Sequence, residues 1–178
     1  MNTLFYYFEK WQSEYCAGSK IPRWFREEFT SLIDLNYEGA LKDFKYKNKN
    51  IFRIINLDEN KLIFNDLYYS FSSNLKGIQE VIKYDTNLKT SYLFLLVCKP
   101  LYALNFNKLG EALYENYKGI KYAKENEIIS KLNFDSLLEI YLLKNGNDIS
   151  NYKQNGIKIK KSDLKYTFKT ILKKYDIK

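Results

Sequence analysis

Large apolar residues recur at helical spacing near the start of the chain. Leu4, Phe8, Trp11 and Tyr15 are separated by three or four residues, with charged and amide side chains between them. This spacing is typical of one face of an amphipathic helix. It predicts a first helix over residues 3–16.

A second helix is predicted to begin at Pro22, because proline fits the first turn of a helix. Its inward stripe consists of Phe25, Phe29, Leu32 and Ile33. Arg23 and Arg26 are expected on the outer face, with Trp24 between them in sequence. Exposed tryptophans are enriched at binding hot spots, so Trp24 is a candidate interface anchor, although core packing is the commoner use of a tryptophan.

The middle of the chain contains shorter apolar segments. Residues 51–57 and 61–65 have the composition of two short strands, and the Asp-Glu-Asn sequence between them is typical of a turn, which together predict a β-hairpin. A helix is predicted over residues 73–84. Residues 90–98 form a continuous apolar run whose periodicity does not distinguish a strand from a helix, but Pro100 closes it and favours a strand.

The second half of the chain has two stretches of helical periodicity, over residues 107–117 and 123–143. A short strand is predicted at Gly156–Lys160, where isoleucines alternate with lysines. The last helix is predicted to begin at an N-cap, Ser162.

Taken together, these elements predict an α+β fold that is predominantly helical, with a small β-hairpin or short sheet. A chain of 178 residues that is 46% apolar can bury the core of one compact domain, residues 1–178. Its seven glycines and two prolines supply few tight turns, which disfavours an all-β sandwich. Residues 153–178 are predicted to form a basic strand-helix segment packed on this domain or appended to it.

The cysteines and the apolar segments indicate a cytoplasmic protein that does not enter a membrane. Cys16 and Cys98 match no metal-binding or redox spacing and have apolar neighbours, so buried thiols are expected. The N-terminus lacks the basic region of a signal peptide. The most apolar stretch, residues 92–104, is far shorter than the roughly 20 residues of a membrane-spanning helix.

Positive charge is concentrated at the C-terminus. The formal net charge is +8, and residues 153–178 contain nine lysines against two aspartates. Three of the 29 basic residues are arginine, the side chain best suited to bidentate phosphate contacts. Because lysine, asparagine, isoleucine and tyrosine are all frequent, an AT-rich genome is an alternative explanation of the lysine excess.

Candidate binding residues follow from this distribution. Lys165, Lys169 and Lys173 are four residues apart, which on a helix forms one row of like charges that an anionic partner would stabilise. Further candidates in the tail are Lys158, Lys160 and Lys161. A second basic patch contains Lys45, Lys47, Lys49 and Arg53, and the second helix adds Arg23, Trp24 and Arg26.

Several chemistries are excluded by composition. The chain has no histidine, which removes Ser-His, Cys-His and His-zinc mechanisms, and it has no Gly-rich phosphate loop. An enzyme would depend on carboxylates and lysine, and the nearest set for a Mg²⁺-dependent nuclease is Asp43, Glu59 and Lys61. No catalytic residue, metal ligand or cofactor is assigned.

Three functional hypotheses remain. The first is a non-catalytic binding protein whose basic C-terminal face docks on nucleic acid or on a nucleoprotein complex. The second is an inhibitor or immunity-type protein that binds an acidic protein partner, since small chains of AT-rich composition are frequent in mobile elements, where such inhibitors are common. The third is the carboxylate-metal nuclease. The sequence does not predict the oligomeric state.

Overall fold

A seven-stranded sheet dominates the structure. The computed structural model describes residues 3–14, 21–56, 61–85, 88–89, 91–113 and 124–177. Their helices are α1 (Thr3–Glu14), α2 (Arg23–Asn36), α3 (Leu75–Tyr84), α4 (Phe106–Leu113), α5 (Tyr152–Asn155) and α6 (Phe168–Lys174). Their strands are β1 (Ile51–Asn56), β2 (Tyr68–Ser72), β3 (Leu93–Cys98), β4 (Leu104–Asn105), β5 (Glu127–Lys131), β6 (Leu137–Leu143) and β7 (Ile157–Lys158).

Every strand pair in the sheet is antiparallel, and the strand order is β4-β5-β2-β1-β3-β6-β7. β3 pairs along its whole length with both β1 and β6. All six residues of β3 are buried because both faces of the sheet are covered there. This burial explains why the strand is continuously apolar rather than alternating.

The sheet has a seam between β1 and β2. These strands share a single register pair, Phe52 with Ser72, whereas β2 pairs with β5 over five residues. Beyond that pair β1 and β2 diverge. The sheet therefore consists of two well-paired halves, β4-β5-β2 and β1-β3-β6-β7, that meet at one point.

Two groups of helices cover one face of the sheet. α1 and α2 pack through Phe8, Trp11, Phe25 and Phe29 against Tyr68 of β2 and its neighbours in a cluster rich in aromatic rings. α3, α5 and the 3₁₀-helix Gly146–Asn151 cover the adjacent part of the face, over β1, β3 and β6. Asn74 caps α3 by accepting a hydrogen bond from the backbone N–H of Gly77 at 3.0 Å.

The C-terminal segment covers the other face. It consists of the 3₁₀-helix Lys161–Lys165 and α6, which is capped by Thr167. Leu164, Phe168 and Ile171 are buried against the sheet, and the rings of Phe168 and Phe94 are 4.5 Å apart. The lysines of this segment are thus attached to a packed element.

The prediction of a predominantly helical fold with a small sheet was wrong, because the protein is a mixed α/β structure built on a seven-stranded sheet. The main error concerns residues 123–143, which were predicted to be helical. β5 and β6 occupy most of this range, and β5 and the residues of β6 from Ile140 onward are buried on both faces. A strand of that kind has consecutive apolar residues, some of which fall at helical spacing by coincidence.

Two other predicted elements differ. β1 does not form a hairpin with residues 61–65, which contain no strand; it pairs with β2 and β3 instead. The predicted turn lies largely outside the described residues. The last helix does not run from Ser162, because the segment is split between a 3₁₀-helix and α6.

Other predicted helices and strands agree with the structure where it describes them. The helices predicted at 3–16, at Pro22 and at 73–84 correspond to α1, α2 and α3. β3 confirms the strand favoured by Pro100. Cys98 is a buried free thiol, and burial raises its pKa to about 12; Cys16 lies outside the described residues.

Candidate nucleic-acid interface

The exposed lysines of the C-terminal segment form its outward surface. Lys169 and Lys173 lie one turn apart on α6, and both are exposed. Lys165 ends the preceding 3₁₀-helix, so the predicted single row of three is divided between two elements. Lys160 is also exposed. None of these four lysines has an ion-pair partner among the described carboxylates.

Two other tail lysines, Lys158 and Lys161, contact the protein itself. Lys158 forms an ion pair with Glu139 at 2.5 Å between Nζ and Oε1. The Lys161 ammonium donates to the backbone carbonyls of Phe134 at 2.9 Å and Leu137 at 2.6 Å. Such contacts attach the tail to β6 and the turn before it. These two lysines, predicted as partner-binding residues, therefore have structural contacts within the chain.

Asp163 organises the tail from within. Its carboxylate is buried, forms an ion pair with Lys174 at 2.5 Å, and accepts a hydrogen bond from the Tyr175 hydroxyl at 2.9 Å. The Lys174 ammonium holds the pKa of Asp163 below its usual range. The same Tyr175 hydroxyl accepts the backbone N–H of Lys160 at 3.0 Å. This network fixes α6 relative to the chain before it.

The second basic patch is divided. Lys45 is mostly buried, forms an ion pair with Glu38 at 2.6 Å, and lies 4.5 Å from the centre of the Tyr37 ring. Lys47 and Lys49 are exposed in the segment before β1. Only these last two are therefore free to contact a partner with their charge.

Two of the three arginines occupy the seam between β1 and β2. Arg26 reaches from α2 and donates to the carbonyl of Tyr68 at 2.5 Å, and Arg53 donates from β1 to the carbonyl of Ser70 at 2.7 Å. Both guanidinium groups lie against the ring of Tyr69, at 4.1 and 5.3 Å from its centre. They supply the hydrogen bonds that a paired β1 would have given to this edge of β2.

The remaining predicted residues of α2 are on its surface. Arg23 is exposed and forms an ion pair with Glu27 one turn later, at 2.7 Å. Trp24 is 56% exposed. Trp24 is therefore not packed in the core, which was the commoner use considered for it, and Arg26, expected on the outer face, is partly buried against β2.

Glu127 is a buried acid that sequence reasoning missed. It is 3% exposed at the start of β5 and accepts a hydrogen bond from Nε1 of Trp11 at 3.0 Å. Burial raises its pKa, while hydrogen bonds from Trp11, Ser70 and Gln12 and the charge of Arg53 act in the opposite direction. The available signal was an acid at the beginning of a run of apolar residues, which the prediction of a helix over residues 123–143 left unused.

Of the three residues considered for a metal-dependent nuclease, the structure describes Asp43 and Lys61. Asp43 is exposed in a short 3₁₀-helix and Lys61 is exposed in a loop, while Glu59 lies outside the described residues. Within the described ranges, no three acidic, histidine or cysteine side chains are grouped so that they could hold a metal ion.

No described helix is both long and apolar enough to cross a bilayer. Comparison with protein-family models and with curated proteins gave no match to this chain.

Proposed function

We propose that this protein is a non-catalytic, cytoplasmic protein that binds nucleic acid through its basic C-terminal face. One observation carries the proposal: Lys160, Lys165, Lys169 and Lys173 are exposed, and none of them forms a salt bridge with a described carboxylate. The buried thiol of Cys98 fits a reducing compartment.

The packing of the tail supports this role. A lysine on a disordered tail must lose more conformational freedom on binding than one on a fixed element. Phe168 and Ile171 are buried, and Asp163 holds the end of α6 through Lys174, so the exposed ammonium groups already have a fixed support. Lysines four apart on α6 also repel each other, and a phosphate backbone would relieve that repulsion.

The test is a salt titration of binding to fluorescein-labelled RNA and DNA, single-stranded and duplex, followed by fluorescence anisotropy. Neutralised phosphates release counterions, so the logarithm of the affinity falls linearly with the logarithm of the salt concentration. Changing Lys165, Lys169 and Lys173 together to glutamate is expected to weaken binding at least about tenfold and to reduce the slope of this plot.

A matched control shows whether binding depends on the position of the lysines or only on the net charge of the protein. Lys42, Lys108 and Lys144 are exposed lysines elsewhere on the chain. Changing them together to glutamate lowers the formal net charge by the same amount, from +8 to +2, as the tail variant does. If both triple variants lose binding equally, or if binding does not respond to salt, the proposed face is wrong.

A second candidate function is that of an inhibitor that binds a protein, and one observation favours it. Trp24 and Leu35 are 56% and 82% exposed, and they lie three turns apart on the outer face of α2. Exposed tryptophans commonly anchor protein interfaces. Recovery of one defined protein from nuclease-treated source lysate by the native chain, but not by a Trp24→Ala variant, would favour this function over nucleic-acid binding.

A further inference from the structure

A cavity opens at the end of the seam where β1 begins, β2 ends and α3 starts. The cavity is widely open to solvent, and its volume of about 770 Å³ lies within the range of about 300–1,000 Å³ typical of small-molecule sites. The lining residues are Lys49, Asn50, Phe52, Ser73, Asn74, Leu75 and Lys76. None of the tail residues lines it, so the cavity is separate from the proposed nucleic-acid interface.

The polar part of the lining carries positive charge and hydrogen-bonding groups. Lys49 and Lys76 are exposed, and neither forms an ion pair with a described residue. No acidic side chain belongs to the lining in the described part of the chain. Asn50 and Ser73 add an amide and a hydroxyl, which bind oxygen and nitrogen atoms of a ligand without charge. The cavity therefore favours an anionic ligand.

The apolar part of the lining adds a second preference. Phe52 and Leu75 line the cavity while packing partly against the core cluster over β1, β3 and β6. An aromatic side chain fixed in this way offers a surface against which a flat ring can stack. Inorganic phosphate alone would leave this apolar surface uncovered, whereas a ligand with both a phosphate and a planar ring would contact both parts.

We propose that this cavity binds a nucleoside monophosphate. The phosphate lies between Lys49 and Lys76, and the base packs against Phe52. Asn50 and Ser73 provide hydrogen bonds to the sugar or the base. No lysine of the tail lines this cavity, so this site and the C-terminal interface can be confirmed or rejected independently.

Isothermal titration calorimetry of the full chain with UMP and AMP tests the proposal, with uridine, adenosine and inorganic phosphate as separate ligands. Saturable binding of a monophosphate that exceeds the affinity for phosphate and for the matching nucleoside by at least about tenfold is expected. Equal affinity for phosphate and for the monophosphates would overturn the assignment, as would the absence of binding by both monophosphates.

Variants of the lining residues test whether the monophosphate binds in this cavity. Lys49→Gln combined with Lys76→Gln is expected to weaken monophosphate binding at least about tenfold, and Phe52→Leu is expected to lower the affinity for monophosphates while leaving that for phosphate unchanged. The control is Lys108→Gln with Lys144→Gln, which removes the same charge elsewhere and should bind normally. Thermal unfolding checks that each variant is folded. Unchanged binding by the folded Lys49 and Lys76 double variant would place the ligand elsewhere and reject the site.

Discussion

Glu127 shows how one side chain can act against the stability of its own fold. It lies beneath α1, where Trp11 donates to it, and water does not reach its carboxylate. Removing a carboxylate from water disfavours its charged form. The three hydrogen bonds to the group and the nearby Arg53 offset only part of this effect, because the net direction of its pKa shift is upward.

Because the pKa of Glu127 is raised in the folded protein, the direction in which pH changes the stability follows. Below the ordinary glutamate value of 4.5, Glu127 is protonated in both folded and unfolded chains. Above it the unfolded chain loses this proton first, so stability falls as the pH rises through the folded pKa. Glu127→Gln, which keeps the acceptor for Trp11, is therefore expected to stabilise the protein at neutral pH, with a gain that disappears in acid.

Urea unfolding over a series of pH values measures this difference. Glu9→Gln is the control, because Glu9 is exposed on α1. It is expected to give no comparable difference at any pH. A Glu127→Gln variant that is less stable than the native chain at neutral pH would mean that its ionised form is net stabilised, contrary to the direction stated here.

The helix α3 packs against the sheet so closely at Gly77 that a side chain at this position would not fit. A Cβ atom added to Gly77 would lie 1.9 Å from Oγ of Ser72 and 2.0 Å from the carbonyl oxygen of Glu125. The second of these atoms belongs to the backbone and cannot rotate away. Glycine is therefore required for this contact between the first turn of α3 and the segment just before β5.

Gly77→Ala is expected to destabilise the protein by about 1–3 kcal/mol or more, since overpacking moves an element and not only a side chain. The matched control is Gly39→Ala, where the nearest atom to the added Cβ is 3.9 Å away. That change is expected to be neutral or to stabilise by up to about 1 kcal/mol through the unfolded chain. Chemical denaturation compares them, and equal effects would contradict the close packing at Gly77.

The predictability of the elements depended on how many faces each one buries. α2 has one buried stripe, through Phe25, Phe29 and Ile33, so its periodicity was visible in the sequence. β5 and most of β6 are buried on two faces, and a run without alternation carries no period. Their strand partners, such as β2 for β5, are far away in sequence and could not be found from local patterns.

At the scale of the whole molecule, the seam between β1 and β2 connects the two halves of the sheet. One register pair joins the strands, and beyond it α2 fills the gap with Thr30, which accepts the backbone N–H of Tyr68 at 3.1 Å, and with Arg26. Arg53 completes the set from β1. In a chain with so few arginines, two lie where a planar guanidinium can both hydrogen-bond a carbonyl and stack on Tyr69.

Arg26→Lys and Arg53→Lys are each expected to destabilise the protein by about 1–2 kcal/mol, because lysine cannot stack on a ring while donating in a fixed geometry. The double variant is expected to be non-additive, since both arginines contact Tyr69. Arg23→Lys, on the exposed face of α2, should change stability by less than about 0.5 kcal/mol. Equal effects of all three changes in urea unfolding would show that the seam does not depend on guanidinium groups.

The two candidate sites could likewise be predicted from the sequence only in part. The sequence indicated that the tail was basic, but the ion pairs of Lys158 with Glu139 on β6 and of Lys174 with Asp163 could not be read from it. It likewise placed Lys49 in a basic patch with no sign that Lys76 lines the same cavity. Both distinctions depend on residues brought together by the sheet.

The sequence by itself determined the amphipathic helices, the buried β3, the basic tail and the absence of histidine chemistry, because each of these depends on residue type or on spacing within one segment. Tertiary structure alone decided the seven-stranded sheet, the seam with its two arginines, the burial of Glu127 and the cavity beside α3. These features depend on contacts between residues far apart in the chain. Neither the local periodicity nor the composition of a segment indicates which distant strand it will pair with.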